Sequence, residues 1–322
     1  MYKYKFYKFL ILKLKKIIII NMKIIILINI LLLFLSIYYF YYTHNKLKVA
    51  IAAIGKMENH YIKEWVMHYY SLGFKKIFLY DNNDIDGERF EDEISDFIKN
   101  NFVEIINYRG KTSDKFNLQS TAYVDCYVNR VKDYDYLAIF DIDEFLHLNN
   151  YAHISDYLSQ SKFKDFDCIR FPWLNMDDND LIIVQNNNYS LNKRFLRGQF
   201  SQQGKSIFKT GFKQINSTKV LNGHGPIGLK SCDPDGIICN NGLNKKIRHS
   251  MIYQNPQKKN DYIKHFRYKT LQEFIDIKMI RLYPDKSHQL AKKEITFDNF
   301  FGINKINKEK LNYIKKRGFI YK

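Results

Sequence analysis

The tightest constraint on the fold is a short apolar run that stops in acid: Tyr136-Leu-Ala-Ile-Phe-Asp-Ile-Asp-Glu-Phe-Leu146. Leu137 to Phe140 carry the branched and aromatic side chains of a strand buried on both faces. Such a strand belongs in the middle of a sheet covered by helices. Where it ends, Asp141, Asp143 and Glu144 follow within four residues. In an extended chain, positions i and i+2 share a face, so Asp141 and Asp143 are expected side by side, with Ile142 turned into the core. Neighbouring carboxylates repel, and burying them unpaired is costly. A hard divalent cation, Mn²⁺ or Mg²⁺, resolves that conflict through carboxylate oxygens. The stretch therefore reads as a metal–diphosphate site at the carboxyl end of a central strand.

The chain before it alternates strand and helix. Leu47 to Ile54 reads as a strand, and Tyr61, Ile62, Trp65, Val66, Tyr69 and Leu72 recur at helical spacing, between Asn59 as N-cap and Gly73 as C′ residue. Lys76 to Tyr80 is a second strand, ending at the polar cluster Asp81-Asn-Asn-Asp-Ile-Asp-Gly87. A helix over 88–100, a strand over Val103 to Ile106 and a helix over Gln119 to Val131 follow. This order predicts an α/β fold with a mainly parallel sheet flanked by helices, and ligands bind such sheets beyond the carboxyl ends of the strands. Gly55, Asp81 and Asp141 fall at those ends. Beyond the acidic stretch, 154–161 reads as a helix and Asp167 to Phe171 as a strand. Residues 172–242 are rich in Gly and Pro and read as loops shaping a substrate pocket. Thr270-Leu-Gln-Glu273 is a capping box, predicting a helix to about Leu282.

The N-terminal end differs in kind. Ile24 to Tyr42 is uncharged and apolar apart from Asn29 and Ser36, close to the ~20 residues of a membrane-spanning helix, with a run of Tyr at its end. Seven Lys precede it and two follow before Val49, which keeps the N-terminus cytoplasmic. The bulky Tyr run replaces the small-residue site of a cleaved signal, so the segment reads as an anchor. The expected plan is a basic cytoplasmic tail (1–23), a transmembrane anchor (24–42), a short stalk (43–47) and one catalytic domain (48–322), with a donor-binding half to about 150 and an acceptor-side half after it. The net charge is +18, and residues 1–48 contribute nine Lys and no acid. The remaining Lys residues are scattered among acids and not gathered in an aromatic-interleaved stripe, which argues against nucleic acid as a partner. Cys126, Cys168, Cys232 and Cys239 include no C-x-x-C pair. Cys232 and Cys239 flank one loop and are candidates for a disulfide if the domain is lumenal.

Together these motifs resemble an A-type (GT-A, Rossmann-like) glycosyltransferase, more narrowly glycosyltransferase family 92 and related family 2-like enzymes. The carrying residues are Lys56-Met-Glu58, Glu64-Trp65, Leu72-Gly-Phe74, Tyr80-Asp-Asn-Asn83, Ala122-Tyr-Val-Asp-Cys126, Asp141-Ile-Asp-Glu-Phe145 and His265-Phe-Arg-Tyr-Lys-Thr-Leu-Gln-Glu-Phe274. The family pattern has Asn where this chain has Met57 and Val124. The resemblance implies a metal-dependent, inverting transfer of a hexose, galactose being plausible, from a nucleotide diphosphate sugar to a glycan or glycoconjugate hydroxyl. It implies donor contacts from Asp81, Asn83, Gln119, Asp125 and Asp141, and metal ligation by Asp141, Asp143 and His265, with His224 second in line for the late ligand.

Inversion requires a base for the acceptor hydroxyl. In Trp173-Leu-Asn-Met-Asp-Asp-Asn-Asp180, Asp177, Asp178 and Asp180 are the candidates, and Trp173 is a candidate platform for an acceptor sugar. Two rival classes remain open at this level. A haloacid-dehalogenase-type phosphatase also sets Asp-x-Asp after an apolar strand, but wants Thr or Val where Glu144 stands. The other is a membrane-anchored glycan-binding protein without turnover. In a eukaryotic cell the predicted topology places the domain in the Golgi or endoplasmic reticulum lumen.

Overall fold

The computed structural model describes residues 13, 20–36, 46–111, 118–186, 189–240, 259–278, 294–295 and 304–321. The chain divides into two compact units, Met1–Lys46 and Leu47–Lys322. In the first, residues 20–36 are helical and exposed throughout. No helix among the described residues is long and apolar enough to cross a membrane. The expected span of 24–42 runs past that helix, so its second part lies outside the described residues.

The second unit is built on a ten-stranded mixed sheet. Strands β1 (Val49–Gly55), β2 (Lys76–Asp81), β3 (Val103–Asn107) and β4 (Tyr136–Ile139) run parallel in the order β3-β2-β1-β4. On β1, Val49, Ile51 and Ala53 face one buried cluster, with Tyr61, Trp65 and Tyr69 of the helix Asn59–Ser71. Ala50 and Ala52 face the other, with Tyr123 and Tyr127 of the helix Leu118–Asn129. A strand buried on both faces needs apolar residues at every position, which is why these strands are legible as apolar runs. Glu58 stands at the N-cap position of the first helix, one residue ahead of the expected Asn59, without a side-chain cap.

After β4 the chain turns into β5 (Glu144–His147) and leaves the parallel row. β6 (Cys168–Met176) and β7 (Gly198–Lys209) form a long antiparallel pair, and β7 also lies antiparallel to β4. The two-residue strands β8 (Leu221–Asn222) and β9 (Gly225–Pro226) form a small hairpin, and β10 (Ser231–Cys232) with β11 (Ile238–Asn240) extends the sheet beyond β6. β12 (Tyr262–His265) is inserted between β5 and β6. Residues 172–242 are rich in loops, as expected, but they also hold the last part of β6 and all of β7. The amino half of β7 is largely exposed and polar, and only Gly204 to Phe208 are buried, so it lacks the apolar run that marks β1 or β4. The paired strands β13 (Glu294–Ile295) and β14 (Ile320–Tyr321) lie apart from this sheet.

One edge of β5 pairs with β12; the other is satisfied by side chains of the helix Asn59–Ser71. Trp65 Nε1 and the Tyr69 hydroxyl both donate to the Glu144 carbonyl at 2.9 Å, and the Leu146 amide donates back to Tyr69 at 3.1 Å. An uncovered strand edge would leave buried backbone groups unpaired, at about 1–3 kcal/mol each. Across the same helix, Glu64 accepts from the Leu191 amide at 2.7 Å and from Ser190 and Asn192. The Glu64-Trp65 pair thus ties one helix to two separate parts of the chain. Cys232 and Cys239 are both free thiols, so the candidate disulfide is absent. The capping box at Thr270 forms as expected, with Glu273 reaching back to the Thr270 amide, and the helical stretch is described as far as Lys278.

Candidate active site

The acidic stretch is a turn, not an extension of β4. The Glu144 amide donates to the Asp141 carbonyl at 3.0 Å, and the Asp141 amide donates to Glu144 Oε2 at 2.8 Å. Ile142 does face inward, 2% exposed, and fills the space where a side chain at Gly55 would sit. Because the chain turns here, Asp141 and Asp143 have different partners, and the expected shared face of an extended strand is not formed.

Asp141 faces the helix Leu118–Asn129 and β7. Its Oδ1 accepts from Gln119 at 2.6 Å and from the Tyr123 hydroxyl at 3.1 Å, while Lys205 Nζ lies 3.0 Å from Oδ2. Lys205 also lies 3.6 Å from Glu144 Oε2. Burial by itself would lower the Lys205 ammonium, but Asp141 and Glu144 outweigh it and hold its pKa above the usual value. Glu144 is fully buried, and desolvation raises its pKa well above that of an ordinary carboxyl in spite of Lys205. Both oxygens of Asp141 are thus engaged inside the chain.

Asp143 faces β12. Backbone register sets His265 opposite Glu144 on β5 and opposite Asn175 on β6. The Phe266 amide donates to the Asp143 carbonyl at 2.8 Å, and His265 Nε2 stands 3.8 Å from Asp143 Oδ1. His265 Nδ1 is 3.1 Å from Asn175 Oδ1, an oxygen that only accepts, so the ring proton sits on Nδ1 and Nε2 carries the lone pair. Burial drives the His265 pKa down to about 3 although Asp143 opposes the shift, so the ring is neutral. Two electron-pair donors, an imidazole nitrogen and a carboxylate oxygen, therefore face each other beyond hydrogen-bonding distance. Metal–ligand bonds of about 2.0–2.2 Å on each side would span such a gap. Asp143 Oδ2 instead faces Lys278 at 3.6 Å and Lys269 at 3.9 Å. Among the described residues no three His, Cys, Asp or Glu side chains group as a metal cage. Two protein ligands suit Mg²⁺ or Mn²⁺ shared with substrate phosphates, so Asp143 and His265 fit the cation expected from sequence.

Other expected residues fall elsewhere. Asp81 is 1% exposed and holds Arg109 Nη1 at 2.7 Å, while its Oδ1 accepts from the Asn83 backbone and side chain. Arg109 goes on to donate to the carbonyls of Asp84, Ile85, Gly87 and Glu88, so this cluster shapes the loop after β2. Asn83 Oδ1 accepts from the Met57 amide at 2.8 Å, tying the β1 and β2 ends together. Asp125 accepts from Tyr80 at 2.6 Å and pairs with Arg130 at 3.4 Å, away from the partners of Asp141 and Asp143. Gln119 alone of these four reaches the acidic turn.

The expected bases Asp177 and Asp178 both have partners inside the chain. Asp178 is 1% exposed and lies 2.5 Å from Lys310 Nζ, itself fully buried; Asp177 lies 3.2 Å from Arg197 Nε. Trp173 is 7% exposed, too buried to be an open platform, and its ring packs 4.5 Å from His265 and 5.4 Å from His224.

Lys205, Lys269, Lys278, Asn175 and Tyr123 were not foreseen. The signal for Lys205 was a cation inside Gly204-Lys-Ser-Ile-Phe208, a short apolar stretch that a solvated lysine would not need to enter.

The chain matches the model of glycosyltransferase family 92 over residues 45–299. A glycosyltransferase family 92 protein of Ricinus communis is 24% identical over 109 residues, which are 34% of this chain and 19% of that protein. The match thus spans about a fifth of the curated relative's length. Among solved structures, S. aureus TarS aligns over 51% of this chain at 9% identity, covering 28% of TarS with a TM-score of 0.30. Its fragment 1–349 aligns over 51% of this chain and 47% of the fragment, at 6% identity and a TM-score of 0.31. Scores at that level do not establish a shared fold. The family match covers most of the chain in one run and includes every element from β1 to β12: this protein is a member of glycosyltransferase family 92.

Proposed function

We propose that the chain is a metal-dependent, inverting glycosyltransferase that moves a hexose, galactose being the first to test, from a nucleotide diphosphate sugar to a hydroxyl of a glycan or glycoconjugate. The observation that carries this reading is the facing pair of Asp143 and His265 at the carboxyl end of β4. Ligands of open α/β sheets bind at such ends. A divalent cation held by that pair would neutralise the charge gathering on the departing diphosphate. Lys269 and Lys278 stand on the other side of Asp143 and add positive charge for an anionic donor. Asn175 fixes the His265 tautomer, and Gln119, Tyr123 and Lys205 fix Asp141 beside the ribose position that the resemblance implies.

The N-terminal segment 24–42 is proposed as a single-pass anchor with a cytoplasmic tail, which puts the catalytic unit in the Golgi or endoplasmic reticulum lumen of a eukaryotic cell. The exposed aliphatic side chains of residues 24–35 support a bilayer as the partner of that segment. The test is donor turnover by the full chain in detergent, with UDP-, GDP- and dTDP-hexoses, in Mn²⁺ and in chelator. Release of nucleotide diphosphate that requires Mn²⁺ and a sugar acceptor is the expected result. No release with any donor would leave the family's activity unsupported for this chain.

A further inference from the structure

An inverting transfer needs a group that accepts the proton of the acceptor hydroxyl, and the carboxylates around the acidic turn are otherwise engaged. Asp141 is paired with Lys205, Glu144 is fully buried, Asp143 faces His265 and the two lysines, and Asp177 and Asp178 are held by Arg197 and Lys310.

His224 is differently placed. It lies in the hairpin Leu221–Pro226, which is fastened to the site from two sides. A side chain at Gly223 would come within 2.9 Å of Gln119 Oε1, so the hairpin packs directly on the residue that donates to Asp141. On the other side, His224 Nδ1 is 3.0 Å from the carbonyl of Gly204, the neighbour of Lys205. That carbonyl only accepts, so the proton is on Nδ1 and the Nε2 lone pair is available. The His224 ring also packs against Trp173, which packs against His265 as well. The backbone around it is fixed: the His224 amide donates to Asn222 Oδ1 at 2.8 Å, and Ser206 donates to the His224 carbonyl at 2.7 Å. Gly225 sits at φ +135 against the Ser206 side chain, where any Cβ would collide, so only glycine serves there. His224 remains partly exposed, and its Nε2 has no hydrogen-bond partner among the described residues. Burial lowers its pKa, with Lys205 acting in the same direction, which keeps the ring neutral and able to accept a proton.

We infer that His224 is the general base of the transfer, an assignment that rests on the inverting reading above. His224 Nε2 takes the proton of the acceptor hydroxyl as the oxygen's electron pair forms the new bond to the anomeric carbon. The bond from that carbon to the phosphate oxygen breaks, and its electron pair leaves with the nucleotide diphosphate. The imidazolium then gives its proton to solvent. The two imidazoles that contact Trp173 thus divide the work: His265 belongs to the leaving group and His224 to the incoming one.

The test uses the full chain with the donor that it turns over and methyl hexosides as acceptors. His224→Asn keeps an amide donor for the Gly204 carbonyl but removes Nε2; His224→Gln is the second variant, and melting temperature selects whichever is folded. The expected result is transfer slowed about 100-fold or more, with the donor KM within about twofold of wild type and partial recovery on adding imidazole. A folded variant that transfers within about threefold of wild type, with inverted product, overturns the assignment and leaves the inverting reading intact. Product with retained anomeric configuration overturns both.

Discussion

His265 Nε2 lies 3.8 Å from Asp143 Oδ1, and the register of β12 between β5 and β6 puts it there. A residue late in the chain reaches the acidic turn through strand pairing, so the contact does not depend on a loop closing. Trp173 and Asn175 on β6 pack on the His265 ring and bind it, holding its orientation. The first consequence is that mutations in the Asp177–Asp180 segment should affect stability and not chemistry.

Asp178→Asn tests that. Asp178 and Lys310 form a buried ion pair at 2.5 Å, and removing that carboxylate leaves the buried ammonium only the more distant Asp180, at 3.9 Å, as counter-charge. The expected loss is about 3–5 kcal/mol in urea unfolding, with the activity of the folded fraction near wild type. Full stability with abolished turnover would return Asp178 to the catalytic machinery.

Met57 occupies a left-handed backbone position, φ 57, where Asn is favoured over an unbranched apolar residue. The family's usual Asn therefore has a backbone reason to be there, independent of any nucleotide contact. Met57→Asn should stabilise the chain by about 1 kcal/mol, read as a raised urea midpoint. A lowered midpoint would show that the Met side chain contributes packing that outweighs the backbone strain.

Acid should weaken the fold through His68. Burial lowers its pKa from 6.5 to about 4, although the Leu146 carbonyl, 2.9 Å from Nε2, opposes the shift. The unfolded chain therefore binds a proton before the folded one, so the contribution is complete above pH 6.5 and is lost as pH falls toward 4. At full extent this is at most about 3 kcal/mol. His68→Gln keeps a donor for the Leu146 carbonyl but does not titrate, so its unfolding free energy should fall less than that of wild type between pH 7 and 4.5. Parallel losses in the two proteins would remove His68 from the account.

Where one side chain type suffices to define an element, sequence pattern was enough. Strands β1, β2 and β4 are apolar runs because both faces are covered, and the Thr270–Glu273 capping box is a local device with a local signature. β7 was not legible: its exposed half is polar, and its place between β4 and β6 is a property of the whole sheet. The site divides in the same way. Asp143 follows from the strand end and His265 from the motif order. Lys205, Asn175 and His224 converge only because β6, β7 and the Leu221–Pro226 hairpin meet there. Asp81, Asp125 and Asp178 are acids of the right type, but Arg109, Arg130 and Lys310 claim them, and for Asp81 and Asp178 that partner is distant in sequence.

The most direct measurement of the central claim is Mn²⁺ binding, by titration calorimetry, to the full chain in the presence of UDP, beside Asp143→Asn and Asp141→Asn. The account predicts one Mn²⁺ per chain for wild type, binding weakened about 10- to 100-fold or more in Asp143→Asn, and retained in Asp141→Asn because Lys205, Gln119 and Tyr123 already occupy that carboxylate. Equal Mn²⁺ affinity in wild type and Asp143→Asn, or loss confined to Asp141→Asn, would contradict it.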